Sequence, residues 1–210
     1  TLDSVAFFTN LGTLYVLKVG DFPASSGYGD PIQKTLKFKD GERVVSCFGL
    51  KTAKKESDKV QADLFKLGET APNMLNDGEI VTLVSKGGLG FALTLEGLQG
   101  LKRSGKREAK FKEGDELVAV SKSAPKLALF SRRGFGMVIK GNEVPLRNAG
   151  AAGVILLGVR DDDHLVAAIG FGGKCKFKVK VDSGNEKELA SSDLTEGHRA
   201  LKGNRVFPRG

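Results

Sequence analysis

The chain has 210 residues, 40% of them hydrophobic, with 28 glycines, no tryptophan and two cysteines, and its formal net charge is +8. No apolar run approaches the roughly 20 residues of a membrane span, and no signal-peptide pattern is present within the sequence, so a soluble chain is expected. Cys47 and Cys175 lack CxxC spacing and are too few for a disulfide framework; they read as small buried hydrophobes in a reducing cytosol. The basic balance points to a polyanionic partner.

The chain opens Thr1-Leu2-Asp3-Ser4 without Met and enters a strand at once, so it is expected to be a fragment of a longer protein. Val5-Ala6-Phe7-Phe8 and Leu14-Tyr15-Val16-Leu17 flank a polar turn with Gly12, the pattern of a β-hairpin. Asp21-Phe22-Pro23 ends the second strand, and Ser25 to Pro31 is a loop by composition. Leu36-Lys37-Phe38 alternates, and Val44-Val45-Ser46-Cys47-Phe48 reads as a nearly continuous apolar strand.

This unit recurs. Leu83 to Gly88 leads into Phe91-Ala92-Leu93, Leu129 to Gly134 into Met137-Val138-Ile139, and Ala168 to Gly173 into Phe177-Lys178-Val179. The intervals from Gly88 to Gly134 and from Gly134 to Gly173 match the roughly 40–45 residues of a propeller blade. The longer first interval contains an insertion at 50–76, rich in lysine, whose pattern fits a short helix capped by Asp58 and carrying Val60, Leu64 and Leu67, and fits a strand over Ala62-Asp63-Leu64-Phe65 as well. An acidic turn feeding a strand closes each unit: Asp40-Gly41-Glu42, Asp77-Gly78-Glu79, Glu113-Gly114-Asp115 and Asp161-Asp162-Asp163. Periodicity therefore gives a propeller or another repeated all-β fold in a single domain over 1–210.

Basic residues cluster within the repeats. The densest run holds Lys102, Arg103, Lys106, Arg107 and Lys110 on a glycine-containing loop suited to a phosphate backbone. The third unit adds Arg132 and Arg133 in its hairpin turn, Lys140 at a strand end and Arg147 in its loop. In the fourth, Lys174, Lys176, Lys178 and Lys180 alternate with apolar residues, giving one cationic and one buried face. Arg199, Lys202 and Arg205 follow in a basic loop that ends in a strand.

Phe7-Phe8-Thr9-Asn10-Leu11-Gly12, through Asp21-Phe22-Pro23 to Asp40-Gly41-Glu42-Arg43-Val44-Val45, resembles the repeat of the C-terminal domain of the A subunit of bacterial type IIA topoisomerases. The resemblance implies a β-pinwheel, a propeller-like ring of about four repeated four-stranded antiparallel blades that binds and bends or guides double-stranded DNA on its outer rim without sequence specificity. The partners it implies are the B subunit plus the remainder of the A subunit; it further implies a cytoplasmic, nucleoid-associated location and a catalytic tyrosine outside this chain. That family's Lys-Arg pair is replaced here by Tyr15-Val16, Phe91-Ala92, Met137-Val138 and Lys176-Phe177. Its glutamine-arginine-arginine-glycine-glycine-lysine-glycine box is absent, and the segments 147–153 and 199–203 read as ordinary blade loops, which favours a topoisomerase IV-like or divergent gyrase-like domain.

No catalytic residue, cofactor or metal site is read. His164 and His198 lie in different units without a neighbouring nucleophile, and the three aspartates at 161–163 lack the spacing of a calcium loop. The alternative reading is a protein-interaction β-propeller whose basic loops only solubilise it.

Overall fold

The computed structural model describes residues 4–22, 27–50, 74–101, 103–180, 184 and 186–207. The predicted helix around Val60 to Leu67 and all but the ends of the predicted insertion lie outside them. The helical segments among the described residues are short 3-10 turns.

The first unit pairs β1 (Ser4–Thr9) with β2 (Thr13–Lys18), in register from Ser4 opposite Lys18 to Phe8 opposite Leu14. Apolar β-rich residues on both strands and one tight turn suffice for this hairpin. Gly12 takes φ +77°, a left-handed conformation that residues with a Cβ rarely adopt, and its N–H donates to Thr9 O at 2.9 Å. β3 (Val44–Leu50) then pairs with the free side of β1, and the two-residue β4 (Met74–Leu75) lies parallel to the end of β3.

The second unit repeats the arrangement with β5 (Ile80–Ser85), β6 (Leu89–Thr94), β7 (Lys106–Arg107) and β8 (Leu117–Lys122). The third supplies β9 (Lys126–Ser131), β10 (Phe135–Lys140), β11 (Val154–Ile155) and β12 (Leu165–Phe171), and the fourth β13 (Lys176–Lys180), β14 (Glu186–Ala190) and β15 (Asn204–Arg205).

The sheets do not follow the units. Their strand orders are β4-β3-β1-β2-β7, β8-β5-β6-β11, β12-β9-β10-β15 and β13-β14. Each of the first three blades therefore receives one edge strand from the unit that follows it. On the sides away from the exchanged strands, β3 packs against β8 and β8 against β12, so the third strands gather on the inside and the exchanged strands β7, β11 and β15 form the outside.

Hydrophobic burial joins the blades. One core cluster takes Phe8, Leu14 and Phe48 from the first blade and Leu83, Phe91 and Leu117 from the second. A second unites Val84 and Leu157 with Leu129, Met137 and Leu165. Each such side chain contributes roughly 1.5–3 kcal/mol on burial.

A recurring polar latch fixes each hairpin turn. The buried hydroxyl of Thr9 donates to Glu42 Oε1 at 2.5 Å and accepts the Thr13 N–H at 3.3 Å. Ser85 does the same with Asp115 Oδ2 (2.7 Å) and the Leu89 N–H, and Ser131 with Asp163 Oδ2 (2.6 Å) and the Phe135 N–H. The acid preceding each third strand is thus what holds the hairpin to that strand. Burial works to raise the Asp163 pKa, but hydrogen bonds from Ser131 and from the N–H groups of Arg133 and His164 outweigh it and hold the carboxyl below the ordinary range.

Three sequence expectations are corrected. Ala168 to Phe171 is not the first strand of a fourth hairpin: it belongs to β12, which pairs along β9 in the third blade. The fourth hairpin is β13–β14, and its left-handed turn glycine is Gly184 (φ +84°), not Gly173. The Asp77-Gly78 turn feeds β5, the first strand of a hairpin, whereas the other three acidic turns feed third strands. Cys47, expected to be buried, is exposed because Phe48 and Leu50 occupy the buried face of β3, and Cys175 is half-buried; both are free thiols.

Candidate nucleic-acid interface

The exchanged strands dock on the hairpin glycines. The Gly12 carbonyl accepts the N–H groups of Glu108 (2.8 Å) and Ala109 (3.0 Å), that of Gly88 accepts Leu156 (2.8 Å) and Leu157 (3.2 Å), and that of Gly134 accepts Val206 (2.8 Å) and Phe207 (3.3 Å). The pairing puts Arg107 opposite Thr13, Ile155 opposite Leu89 and Arg205 opposite Phe135, so these three residues hold equivalent rim positions. Two of the three are arginines.

Lys106 and Arg107 form β7 on the rim of the first blade, with Lys110 exposed just beyond it. Arg103 precedes them in a turn and pairs with Asp21 at 3.3 Å; Lys102 lies outside the described residues. Lys106 Nζ meets Glu108 Oε1 at 3.0 Å, while Glu108 Oε2 has no protein partner although the residue is only 1% exposed. Burial pushes the Glu108 carboxyl up, and Lys106 pulls it down less strongly. Arg107 Nε donates to the Ala109 carbonyl, two residues on, at 3.2 Å.

On the second blade, Arg147 is anchored through its backbone, with its N–H on Ala92 O at 2.8 Å and its side chain exposed. The exchanged strand there is Val154–Ile155, without charge, and Ile155 is 47% exposed. On the third blade, Arg132 and Arg133 sit in the β9–β10 turn, where Arg133 pairs with Asp162. Arg199 donates its N–H to Glu143 at 3.0 Å, and this bond is the main reason the Glu143 carboxyl lies below its ordinary range. Lys140 lines a cleft of about 140 Å³ with Lys126, Glu143, Glu196 and His198. There Lys126 pairs with Glu196, and His198 Nδ1 lies 3.4 Å from Glu143 Oε2.

The lysines of β13 stand apart. Lys176, Lys178 and Lys180 do share one exposed face over buried Phe177, with Lys174 exposed just before the strand. That face is answered by the adjoining strand: Lys178 lies opposite Glu188, Lys180 opposite Glu186, and Lys176 pairs with Glu188 at 3.0 Å. The predicted cationic face is a zipper of both signs.

The repeat seen in the fold also decides the family. The family model described as "DNA gyrase C-terminal domain, beta-propeller" matches residues 3–50, 79–123 and 125–169, each segment running from the first strand of a hairpin to the third strand of its unit. The chain belongs to the DNA gyrase C-terminal domain family. The DNA gyrase A subunit of Streptococcus pyogenes serotype M3 (strain SSI-1) is 28% identical over 152 residues, 71% of this chain and 16% of its own length. The Staphylococcus epidermidis (strain ATCC 12228 / FDA PCI 1200) and Chlamydia muridarum (strain MoPn / Nigg) subunits are 25% and 24% identical over 97% and 98% of this chain, but 21% and 23% of their own lengths. The chain thus spans about a fifth of the relatives it matches. Among solved folds, the C-terminal domain of DNA topoisomerase IV superposes with a TM-score of 0.72 at 17% identity, over 97% of this chain and 58% of that one. The Escherichia coli ParC C-terminal domain gives 0.68 at 16%, over 97% and 76%.

In this gyrase-type domain, sequence reasoning passed over Arg160. It lies in the turn before β12, and its Cζ stands 3.6 Å from the centroid of the Phe135 ring, with Arg205 Cζ at 4.7 Å from the same centroid. A signal was available, since the residue just before each acidic turn that feeds a third strand is basic: Lys39, Lys112 and Arg160.

Proposed function

We propose that this domain binds duplex DNA along its rim without sequence specificity, and bends or guides it, as an accessory module within the A subunit of a type IIA topoisomerase. The observation that carries this reading is the pair of equivalent rim strands bearing Lys106-Arg107 and Arg205, at the sheet edges farthest from the packed third strands. Cations on an exposed edge contact phosphates, which position a protein on DNA without conveying sequence. The proposed protein partners are the B subunit plus the rest of the A subunit; DNA cleavage resides in another domain, and the location is the bacterial cytoplasm. Among the described residues no helix is long and apolar enough to cross a membrane.

A mobility-shift titration on random-sequence duplex at several salt concentrations tests the proposal. Affinity should fall steeply and linearly in log–log form with salt, as counterion release requires. No binding at low salt would remove the reading. A protein-interaction propeller is the second reading, favoured at the second blade by uncharged Val154–Ile155 and by Leu146, 56% exposed. Binding there would be nearly indifferent to salt.

A further inference from the structure

Phe135 opens β10 directly opposite Arg205 of the exchanged strand β15. Two guanidinium groups converge on its ring, from β15 and from the turn before β12, at 4.7 Å and 3.6 Å from the centroid. Neither arginine has a carboxylate within ion-pair distance among the described residues. The nearby acids are committed elsewhere, Asp162 to Arg133 and Asp163 to the Ser131 hydroxyl. The Lys202 carbonyl, 3.5 Å from Arg160 Nη1, is an acceptor at the outer limit of a hydrogen bond. Like charges gathered on one ring without an internal counterion repel each other, and an anion relieves that repulsion. The ring meanwhile removes rotamer freedom that each arginine would otherwise lose on binding.

We infer that Arg160 and Arg205, ordered by Phe135, form a two-arginine seat for backbone phosphates of duplex DNA on the rim of the third blade. The inference rests on the DNA-binding reading above. Planar guanidinium forks suit phosphate oxygens bidentately, which a lysine point charge does not. The seat joins two units on one blade, because Phe135 and Arg160 come from the third unit and Arg205 from the fourth. Its phenylalanine is particular to this blade: the equivalent positions are Thr13 and Leu89.

The test measures duplex affinity and its salt slope for the whole chain and for Arg160→Ala, Arg205→Ala, Arg160→Lys, Arg205→Lys and Phe135→Leu, with Lys34→Ala as a remote control. Each alanine variant should weaken binding and flatten the slope by about 0.9, the effect of one phosphate no longer neutralised. The lysine variants and Phe135→Leu retain the charges, so they should keep the slope and lose about two- to five-fold in affinity through lost stacking. Wild-type behaviour in both alanine variants, alongside a wild-type domain that binds DNA, would overturn the seat and leave the DNA-binding reading standing. Wild-type affinity in Phe135→Leu and both lysine variants would overturn the ordering role of the ring. A wild-type domain that fails to bind at low salt would instead defeat the DNA-binding reading, and the seat with it.

Discussion

A Cβ placed on Gly88 would stand 2.2 Å from the carbonyl oxygen of Leu157, a residue of the following unit whose N–H donates to Gly88 O. Backbone cannot yield there as a side-chain tip can. Gly184, in the turn of the fourth hairpin, has a similar φ of +84°, but no atom of the described residues lies within 4 Å of its Cβ position. Gly184→Ala should therefore cost only the left-handed penalty, about 1–2 kcal/mol. Gly88→Ala should cost that plus displacement of the exchanged strand, and a urea midpoint for each variant separates the two contributions.

The hydroxyl–carboxylate latches should be worth more than exposed charge. Ser131→Ala and Asp163→Asn are each expected to destabilise by about 1–3 kcal/mol, the cost of stranding a buried polar partner. Asp161→Asn, in an exposed position beside them, should stay within about 0.5 kcal/mol. Because the Asp163 carboxyl is held below its ordinary range, its contribution is present above the unfolded pKa and is lost as pH falls through the folded one. Chemical denaturation of wild type and Asp163→Asn should converge towards acid.

Glu108 should behave in the opposite sense. Burial raises its pKa, so the folded state binds the proton more tightly than the unfolded chain, and stability declines as pH rises from the unfolded pKa through the folded one. Glu108→Gln keeps the shape and removes the titration. Its denaturation curves should show a flatter pH dependence and higher stability than wild type at neutral pH, and a more stable wild type there would count against this account.

Two groups of cations should separate cleanly in DNA binding. Replacing Lys102, Arg103, Lys106, Arg107 and Lys110 by Ala should weaken binding uniformly across sequences and flatten the salt slope by roughly 0.9 for each phosphate no longer neutralised. The same change at Lys174, Lys176, Lys178 and Lys180 should have the smaller effect, since Glu186 and Glu188 face those lysines. A larger loss from the second set would move the proposed DNA path to the fourth hairpin.

The hairpins were legible in the sequence because a strand-turn-strand signal is local: apolar runs around Gly12, Gly88 and Gly134 suffice. The acidic turns were visible too, though their task was not, since the hydroxyl that Glu42 holds lies 33 residues away. The fourth copy was misread because Gly170-Phe171-Gly172-Gly173 imitates a hairpin turn, and only pairing with β9 shows it to be the end of the preceding blade. Exchange itself has no periodic signature. β7, β11 and β15 are two residues each, too short for alternation to register, and their place is set by backbone bonds to a glycine in the preceding unit. For the same reason the meeting of Arg160 with Phe135, which depends on the folded turn, was not legible in the sequence.

The exchanged strands also settle how a mechanical load would travel. A pull applied to Lys106 or Arg107 acts on a segment that is covalently part of the second unit but hydrogen-bonded along the edge of the first. Any load placed on that edge is therefore shared by two neighbouring blades, one reached through backbone hydrogen bonds and the other through the peptide chain itself.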